Sequence, residues 1–153
     1  FHPDHCGCNE FFKKATILAH AKEIEVAKAP GAEVAGYLKA DWDYGQPIEA
    51  VNGEKDLFGD SSLVLVPLPG HTPGTLGALV SLDRDGQFLL ASDSVSLRQN
   101  LDADAAPRNT WNVDQQLKTF EEIRRIEKGG ATIICGHDDQ QWQGLRKGSD
   151  GYE

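Results

Sequence analysis

Apolar residues in this chain gather in short runs that end at polar or glycine-containing junctions. Runs of this length, rich in Val, Ile and Leu and bounded by turn residues, are typical of buried strands. We therefore predict strands over 16–19, 62–67, 76–82, 87–91 and 131–135. One longer segment has a helical period, with Asn112 as N-cap and Gly129-Gly130 as its end. Its apolar stripe consists of Val113, Leu117, Phe120, Ile123 and Ile126.

The remaining segments give weaker patterns. We predict a short helix that Asn9 caps, with Phe11 and Phe12 anchored in the core, and a second helix over 21–29. Residues 97–110 are predicted to form a polar loop, and residues 32–59 an irregular segment. The aromatic residues of that irregular segment either wall a substrate pocket or cap the core, and we favour a pocket or an interface. They are Tyr37, Trp42, Tyr44 and Phe58.

Composition limits the class of protein. With 153 residues and 39% hydrophobic content, the chain fits one globular domain over residues 1–153. A net charge of −9 disfavours nucleic acid and anionic membrane surfaces as partners. No apolar run approaches the roughly 20 residues that a membrane helix needs. Three cysteines without a CxxC pair predict free thiols, a reducing compartment and hence a cytoplasmic location.

The first residues carry a metal-ligand spacing. His2, Asp4 and His5 place two imidazoles and a carboxylate close together, which lowers the entropic cost of assembling a metal site. Taken alone, this segment fits a polar terminal loop equally well. The chain also begins with Phe1 and contains no Met, which predicts a fragment or a processed chain and leaves a secretion signal upstream of Phe1 open.

Three predicted strands end close to a further candidate ligand. His71 follows the strand over 62–67, Asp93 follows the strand over 87–91, and His137 follows the strand over 131–135. Ligands at strand ends are held by rigid elements and leave an open face for substrate. Any one of them alone is more often a cap or a surface residue. Because four of the five histidines lie at such junctions or in the opening segment, we favour a metal site and interpret His20 as structural.

Four segments together resemble the metallo-β-lactamase superfamily: 2–7, 69–74, 92–93 and 136–138. Within it the chain is most similar to the N-acyl-homoserine lactonases, through the opening segment, Asp56–Asp60, and Gly136–Asp138 with Trp142. The resemblance implies an α+β fold, the αβ/βα sandwich of mixed sheets flanked by helices. The first histidine of the superfamily's HxHxDH motif would precede Phe1, so we expect the N-terminal portion of the domain to be missing.

The same resemblance implies two metal ions, Zn²⁺ or other divalent transition metals. His2, His71 and the missing histidine would hold one ion, and Asp93 would bridge both. Asp4, His5 and His137 would hold the other. A hydroxide between the ions would open the lactone of an N-acyl-homoserine lactone, the quorum-quenching reaction. Asp4 is the candidate that passes a proton to the leaving alkoxide.

Two departures from the lactonases concern substrate contacts. Ser96 stands where many of them have a substrate-binding Tyr, so Ser96 is a substrate-binding candidate with a shorter reach, and Thr75 stands where His is frequent. Cys6, Cys8 and Cys135 are interpreted as small buried residues.

Other functions stay open beside lactone opening. A glyoxalase-II-like hydrolase of another ester or thioester would use the same site, and a truncated, non-catalytic module would not. Acidic charge disfavours a nuclease of the superfamily. The expected partner is a small-molecule lactone or ester, with neither nucleic acid nor membrane, and a homodimer is left open.

Overall fold

The computed structural model describes residues 1–153, which divide into two compact units, Phe1–Asn52 and Gly53–Glu153. Each unit has its own buried cluster of apolar side chains. The single domain predicted over residues 1–153 stays a prediction.

The first unit is a small α/β arrangement around one pair of parallel strands. Strands β1 and β2 pair with Ile17 opposite Ile48. His20 caps helix α2, since its Nδ1 accepts a hydrogen bond from the Lys22 amide at 3.2 Å. This agrees with the structural role predicted for His20. The elements are α1 (Pro3–Cys6), β1 (Ile17–His20), α2 (Ala21–Ala27), α3 (Lys39–Trp42) and β2 (Ile48–Val51).

The second unit is a five-stranded mixed sheet in the order β3-β4-β5-β6-β7. Strands β3 to β6 pair antiparallel, and β6 pairs with β7 in parallel. Its strands are β3 (Lys55–Asp56), β4 (Leu63–Pro67), β5 (Leu76–Leu82), β6 (Gly86–Leu90) and β7 (Thr132–Ile134). Its helices are α4 (Arg98–Asp102), α5 (Val113–Lys128) and α6 (Asp139–Gly144). None of the helices in the chain has the length and apolar character needed to cross a bilayer.

Helix α5 packs its apolar side on the sheet. Asn112 caps the helix as predicted, because its Oδ1 accepts a hydrogen bond from the Gln115 amide at 2.9 Å. Phe120 and Ile123 have no exposed surface. Val113 was expected in the same stripe but is exposed, because the helix buries a face only from Gln116 onward. The buried cluster contains Val66, Leu68, Leu89, Ala91, Val95, Leu101, Phe120, Ile123, Ile133 and Cys135.

Several weak patterns predicted the wrong structure. Phe11 and Phe12 are 75% and 61% exposed, because they lie in and after a three-residue 3₁₀ helix that has no second turn to form an apolar face. The segment over 32–59 is not irregular, since it contains α3, β2 and β3. Its Tyr37 and Trp42 are buried in the core of the first unit. The loop predicted over 97–110 begins with helix α4.

All three cysteines are free thiols, and two of them are buried. Burial raises the pKa of Cys135 to about 11 and also raises the pKa of Cys6. Both therefore stay protonated at neutral pH and act as small apolar residues, as predicted. Cys8 was expected to be buried and is exposed, because it lies in the turn before the 3₁₀ helix.

Candidate metal centre

Strand directions in the second unit bring three of the candidate ligands to one edge of the sheet. Strand β5 is antiparallel to both β4 and β6, so β4 and β6 point the same way, and β7 is parallel to β6. The carboxyl ends of β4, β6 and β7 therefore share an edge. His71, Asp93 and His137 follow these three strand ends.

The carboxylate of Asp93 lies between two imidazoles. His71 Nε2 is 3.2 Å from Asp93 Oδ2, and His137 Nε2 is 2.8 Å from Asp93 Oδ1. Asp93 and His71 are buried, whereas His137 is exposed. Each carboxylate oxygen thus faces a different imidazole nitrogen, which is the arrangement that lets one carboxylate bridge two metal ions.

The loop that carries His71 is fixed by backbone hydrogen bonds to the start of helix α5. The Trp111 amide donates to the His71 carbonyl at 3.0 Å, and the Asn112 amide donates to the Gly70 carbonyl at 3.1 Å. Inside the loop, the Thr72 amide donates to Thr75 Oγ1 at 3.0 Å. Thr75 therefore closes this turn.

Buried polar groups join the turn that carries Asp93 to its neighbours. Ser94 Oγ donates to the Leu68 carbonyl at 2.8 Å, and Gln116 Nε2 donates to the Ser94 carbonyl at 2.8 Å. Both side chains are fully buried. Sequence inspection missed them, although Gln116 could have been noticed as a polar residue inside the apolar stripe of α5, four positions before Phe120.

The His137 loop is attached to the Asp93 turn. The Gly136 and His137 amides donate to the carbonyls of Val95 and Ser96, both at 2.9 Å. The next residue, Asp138, caps helix α6 and also accepts from the Arg98 amide at 2.9 Å. The pKa of Asp138 lies below its ordinary value because its carboxylate accepts backbone hydrogen bonds, of which the one from Arg98 has the largest effect. Asp138 is thus a capping residue.

Two open clefts adjoin His137 in the second unit. The larger, of about 630 Å³, is lined by Leu97, Arg98, Gln99, His137, Asp138, Asp139, Gln140 and Gln141. The smaller, of about 250 Å³, is lined by Cys135, Gly136, His137, Asp138, Asp139 and Trp142. Space beside an exposed candidate ligand is what a small substrate requires.

The other three candidate ligands belong to the first unit, where one precedes helix α1 and two lie within it. His2 precedes the helix, where its Nε2 lies 3.1 Å from the Ala35 carbonyl oxygen and its ring is 5.1 Å from that of Tyr37. Asp4 and His5 lie within the helix and are exposed, with Asp4 Oδ2 3.5 Å from His5 Nε2. Imidazole and carboxylate donors in both units suit Zn²⁺ and related divalent ions.

A family model described as the metallo-beta-lactamase superfamily matches residues 1–137. The chain belongs to this superfamily. Its fold is therefore the one predicted, and it agrees with the fold of an AiiA structure from B. thuringiensis with N-decanoyl-L-homoserine bound at the active site. That comparison gives a TM-score of 0.85 at 23% identity and covers 99% of this chain and 58% of the other.

Among curated proteins the chain is similar to N-acyl homoserine lactonases. It is 29% identical over 159 residues to AttM of Azorhizobium caulinodans, covering 99% of this chain and 60% of AttM. It is 30% identical over 169 residues to AiiB of Rhizobium rhizogenes, covering 99% of this chain and 59% of AiiB. The predicted similarity to this branch is confirmed. The chain spans about 60% of the length of these relatives.

Gly136 sits where a side chain would displace the central carboxylate. A Cβ at this position would lie 2.8 Å from the Ser92 carbonyl oxygen and 2.9 Å from Asp93 Oδ1. We expect Gly136→Ala to weaken Zn²⁺ binding about 10-fold or more and to lower the free energy of unfolding by about 1–3 kcal/mol. Metal titration and chemical denaturation measure the two effects.

Gly144→Ala is the matched control for Gly136→Ala. A Cβ at Gly144 has nothing within 4 Å, and the residue ends helix α6. We expect this variant to keep metal affinity and to change stability by less than about 0.5 kcal/mol. Unchanged metal affinity in Gly136→Ala would contradict a role for the Asp93 carboxylate in metal binding.

Proposed function

We propose that this protein is a metal-dependent hydrolase that opens the lactone ring of N-acyl homoserine lactones at a dinuclear centre, a quorum-quenching activity. The observation that carries the proposal is the position of Asp93, with one carboxylate oxygen toward His71 and the other toward His137. Similarity to curated N-acyl homoserine lactonases over 99% of the chain supports the substrate class.

The proposed ligand set has six residues and two divalent ions, preferably Zn²⁺. His2 and His71 would hold one ion. Asp4, His5 and His137 would hold the other ion, and Asp93 would take part in holding both. A solved relative, AidC, described as a dizinc quorum-quenching lactonase in complex with its product, shares the fold at a TM-score of 0.62.

The proposed reaction divides its tasks among the metal ions, the side chains that hold them, and Asp4. Divalent ions supply Lewis acidity, which polarises a bound carbonyl and lowers the pKa of water toward about 7. Asp93 and the imidazoles fix the positions of these charges. Asp4 is exposed and can pass a proton to the alkoxide that leaves when the ring opens. The clefts beside His137 provide space for substrate.

Ser96 supports a second candidate, the hydrolysis of another ester or thioester. Many lactonases have a Tyr at this position, and the shorter Ser side chain reaches less far toward a bound carbonyl. Its backbone carbonyl accepts from the His137 amide, so the residue stays close to the proposed centre. We propose that Ser96 contacts the substrate and that its short side chain decides whether a lactone or another ester is the preferred substrate.

Substrate comparison tests the proposed function. Metal-loaded protein is assayed with an N-acyl homoserine lactone, S-lactoylglutathione and a simple aryl ester, and bound metal is quantified by elemental analysis. We expect two metal equivalents and the highest kcat/KM for the lactone. Preference for S-lactoylglutathione would support the thioesterase alternative instead.

The same experiment shows whether the chain is instead a non-catalytic module. Protein treated with a chelator serves as the blank, and re-addition of Zn²⁺ should restore hydrolysis. One metal equivalent or none, together with no turnover of any of the three substrates, would contradict a hydrolase and favour a truncated binding module.

A further inference from the structure

A continuous chain of buried hydrogen bonds connects helix α5 to the two turns that carry His71 and Asp93. Gln116 Nε2 donates to the carbonyl of Ser94, the residue after Asp93. Ser94 Oγ then donates to the carbonyl of Leu68, three residues before His71. Gln116, Ser94 and Leu68 have no exposed surface, so water does not compete for these bonds.

The amide of Gln116 is costly if its only purpose is packing. Its Nε2 is bonded, but its Oε1 is buried without a hydrogen-bond partner. A buried acceptor that lacks a donor costs about 1–3 kcal/mol, so the oxygen of this amide does not explain its presence. What the amide contributes is its donor, which pairs the buried Ser94 carbonyl and so attaches the Asp93 turn to helix α5.

Helix α5 also fixes the His71 turn by direct packing. A Cβ on Gly70 would lie 2.6 Å from the Gln116 Cα, so the backbone of the residue before His71 rests directly on the helix at Gln116. The same residue of α5 thus contacts the His71 turn through its backbone and the Asp93 turn through its side chain. The His71 Nε2 and Asp93 Oδ2 atoms are 3.2 Å apart in this arrangement.

We propose that Gln116 and Ser94 form a positioning pair that sets the distance between the imidazole of His71 and the carboxylate of Asp93 for metal binding. Neither residue reaches the metal ligands with its side chain. They act on the backbone of the ligand-bearing turns, and the role rests on the proposed metal centre. Small displacements of ligands weaken metal binding strongly, because coordination distances are fixed within a few tenths of an ångström.

Co²⁺ binding tests the pair without reference to any substrate. Gln116→Met keeps the length of the side chain and removes the donor. We expect it to raise the Kd for Co²⁺ about 10-fold, as loss of supporting groups around a metal site does, and to alter the d–d absorption spectrum. The melting temperature of the metal-free protein is measured alongside, because the substitution leaves the buried Ser94 carbonyl without its donor while it also removes the buried Oε1.

Ser94→Ala tests the second half of the pair with the loss of a single oxygen atom. It should weaken Co²⁺ binding in the same direction, and the double variant should be no weaker than the worse single variant, because both act through one chain of bonds. Gln115→Met is the matched control: it makes the same replacement on the adjacent, half-buried residue of α5 and should leave the Kd and the spectrum unchanged.

Wild-type protein is measured first, which separates this proposal from the proposed function. Absence of Co²⁺ binding in the wild-type protein would overturn both. Tight binding with no lactone turnover would overturn the substrate alone. If Gln116→Met and Ser94→Ala lower the melting temperature but keep the wild-type Kd and spectrum, the two residues are structural and the positioning proposal is wrong.

Discussion

Asp93→Ala is expected to remove bound metal and hydrolysis together. Asp93 is the only candidate ligand whose two oxygens face two different imidazoles of the second unit, His71 at 3.2 Å and His137 at 2.8 Å. Loss of a supporting group costs about 10–100-fold in metal affinity or activity, and loss of the bridging ligand itself should exceed that range. Elemental analysis after dialysis and the kcat/KM for an N-acyl homoserine lactone measure the two effects.

Asp83→Ala controls for the loss of a carboxylate as such. Asp83 lies in the exposed turn after β5, at the opposite end of that strand from the His71 turn, so this variant should retain the wild-type metal content and turnover. A decrease in activity in Asp93→Ala with two metal equivalents retained would contradict the bridging role and leave Asp93 with a purely catalytic one.

The sequence predicted the second unit well because its signals are local and strong. Strand β5 has the predicted bounds, and no end of β4, β6 or β7 differs from its prediction by more than one residue. Strand ends determined where His71, Asp93 and His137 would lie, and the sheet order brings those ends to one edge. The cap at Asn112 is a local signal and the stripe of α5 a periodic one, and only Val113 of that stripe is exposed.

The failures fall where short elements depend on tertiary packing. Phe11 and Phe12 have the composition of core anchors, but nothing in the local sequence shows that the 3₁₀ helix is too short to bury them. Helix α4 has five residues, which is below the length at which a periodic pattern is visible. The Ser94–Gln116 pair joins residues far apart in sequence, so no spacing rule could have revealed it.

Gly70→Ala is expected to destabilise the second unit more than any other glycine substitution considered for this chain. Gly70 has φ of +147°, a conformation that residues with a side chain rarely adopt, and an added Cβ would lie 2.6 Å from the Gln116 Cα. Strain of this kind costs about 1–3 kcal/mol, and overpacking costs about 1–3 kcal/mol more. Because the obstacle is helix backbone, it cannot move aside as a flexible side chain would.

Gly86→Ala separates the two costs. Gly86 has φ of +80° at the first position of β6, and a Cβ there meets nothing within 4 Å. This control therefore carries backbone strain alone, about 1–3 kcal/mol. Chemical denaturation should show Gly70→Ala to be less stable than Gly86→Ala by about 1–3 kcal/mol, and metal affinity should fall only in Gly70→Ala, because only that turn carries a ligand. Equal stability losses in the two variants would show that α5 does not press on the His71 turn, and the backbone support argued for this ligand would then be wrong.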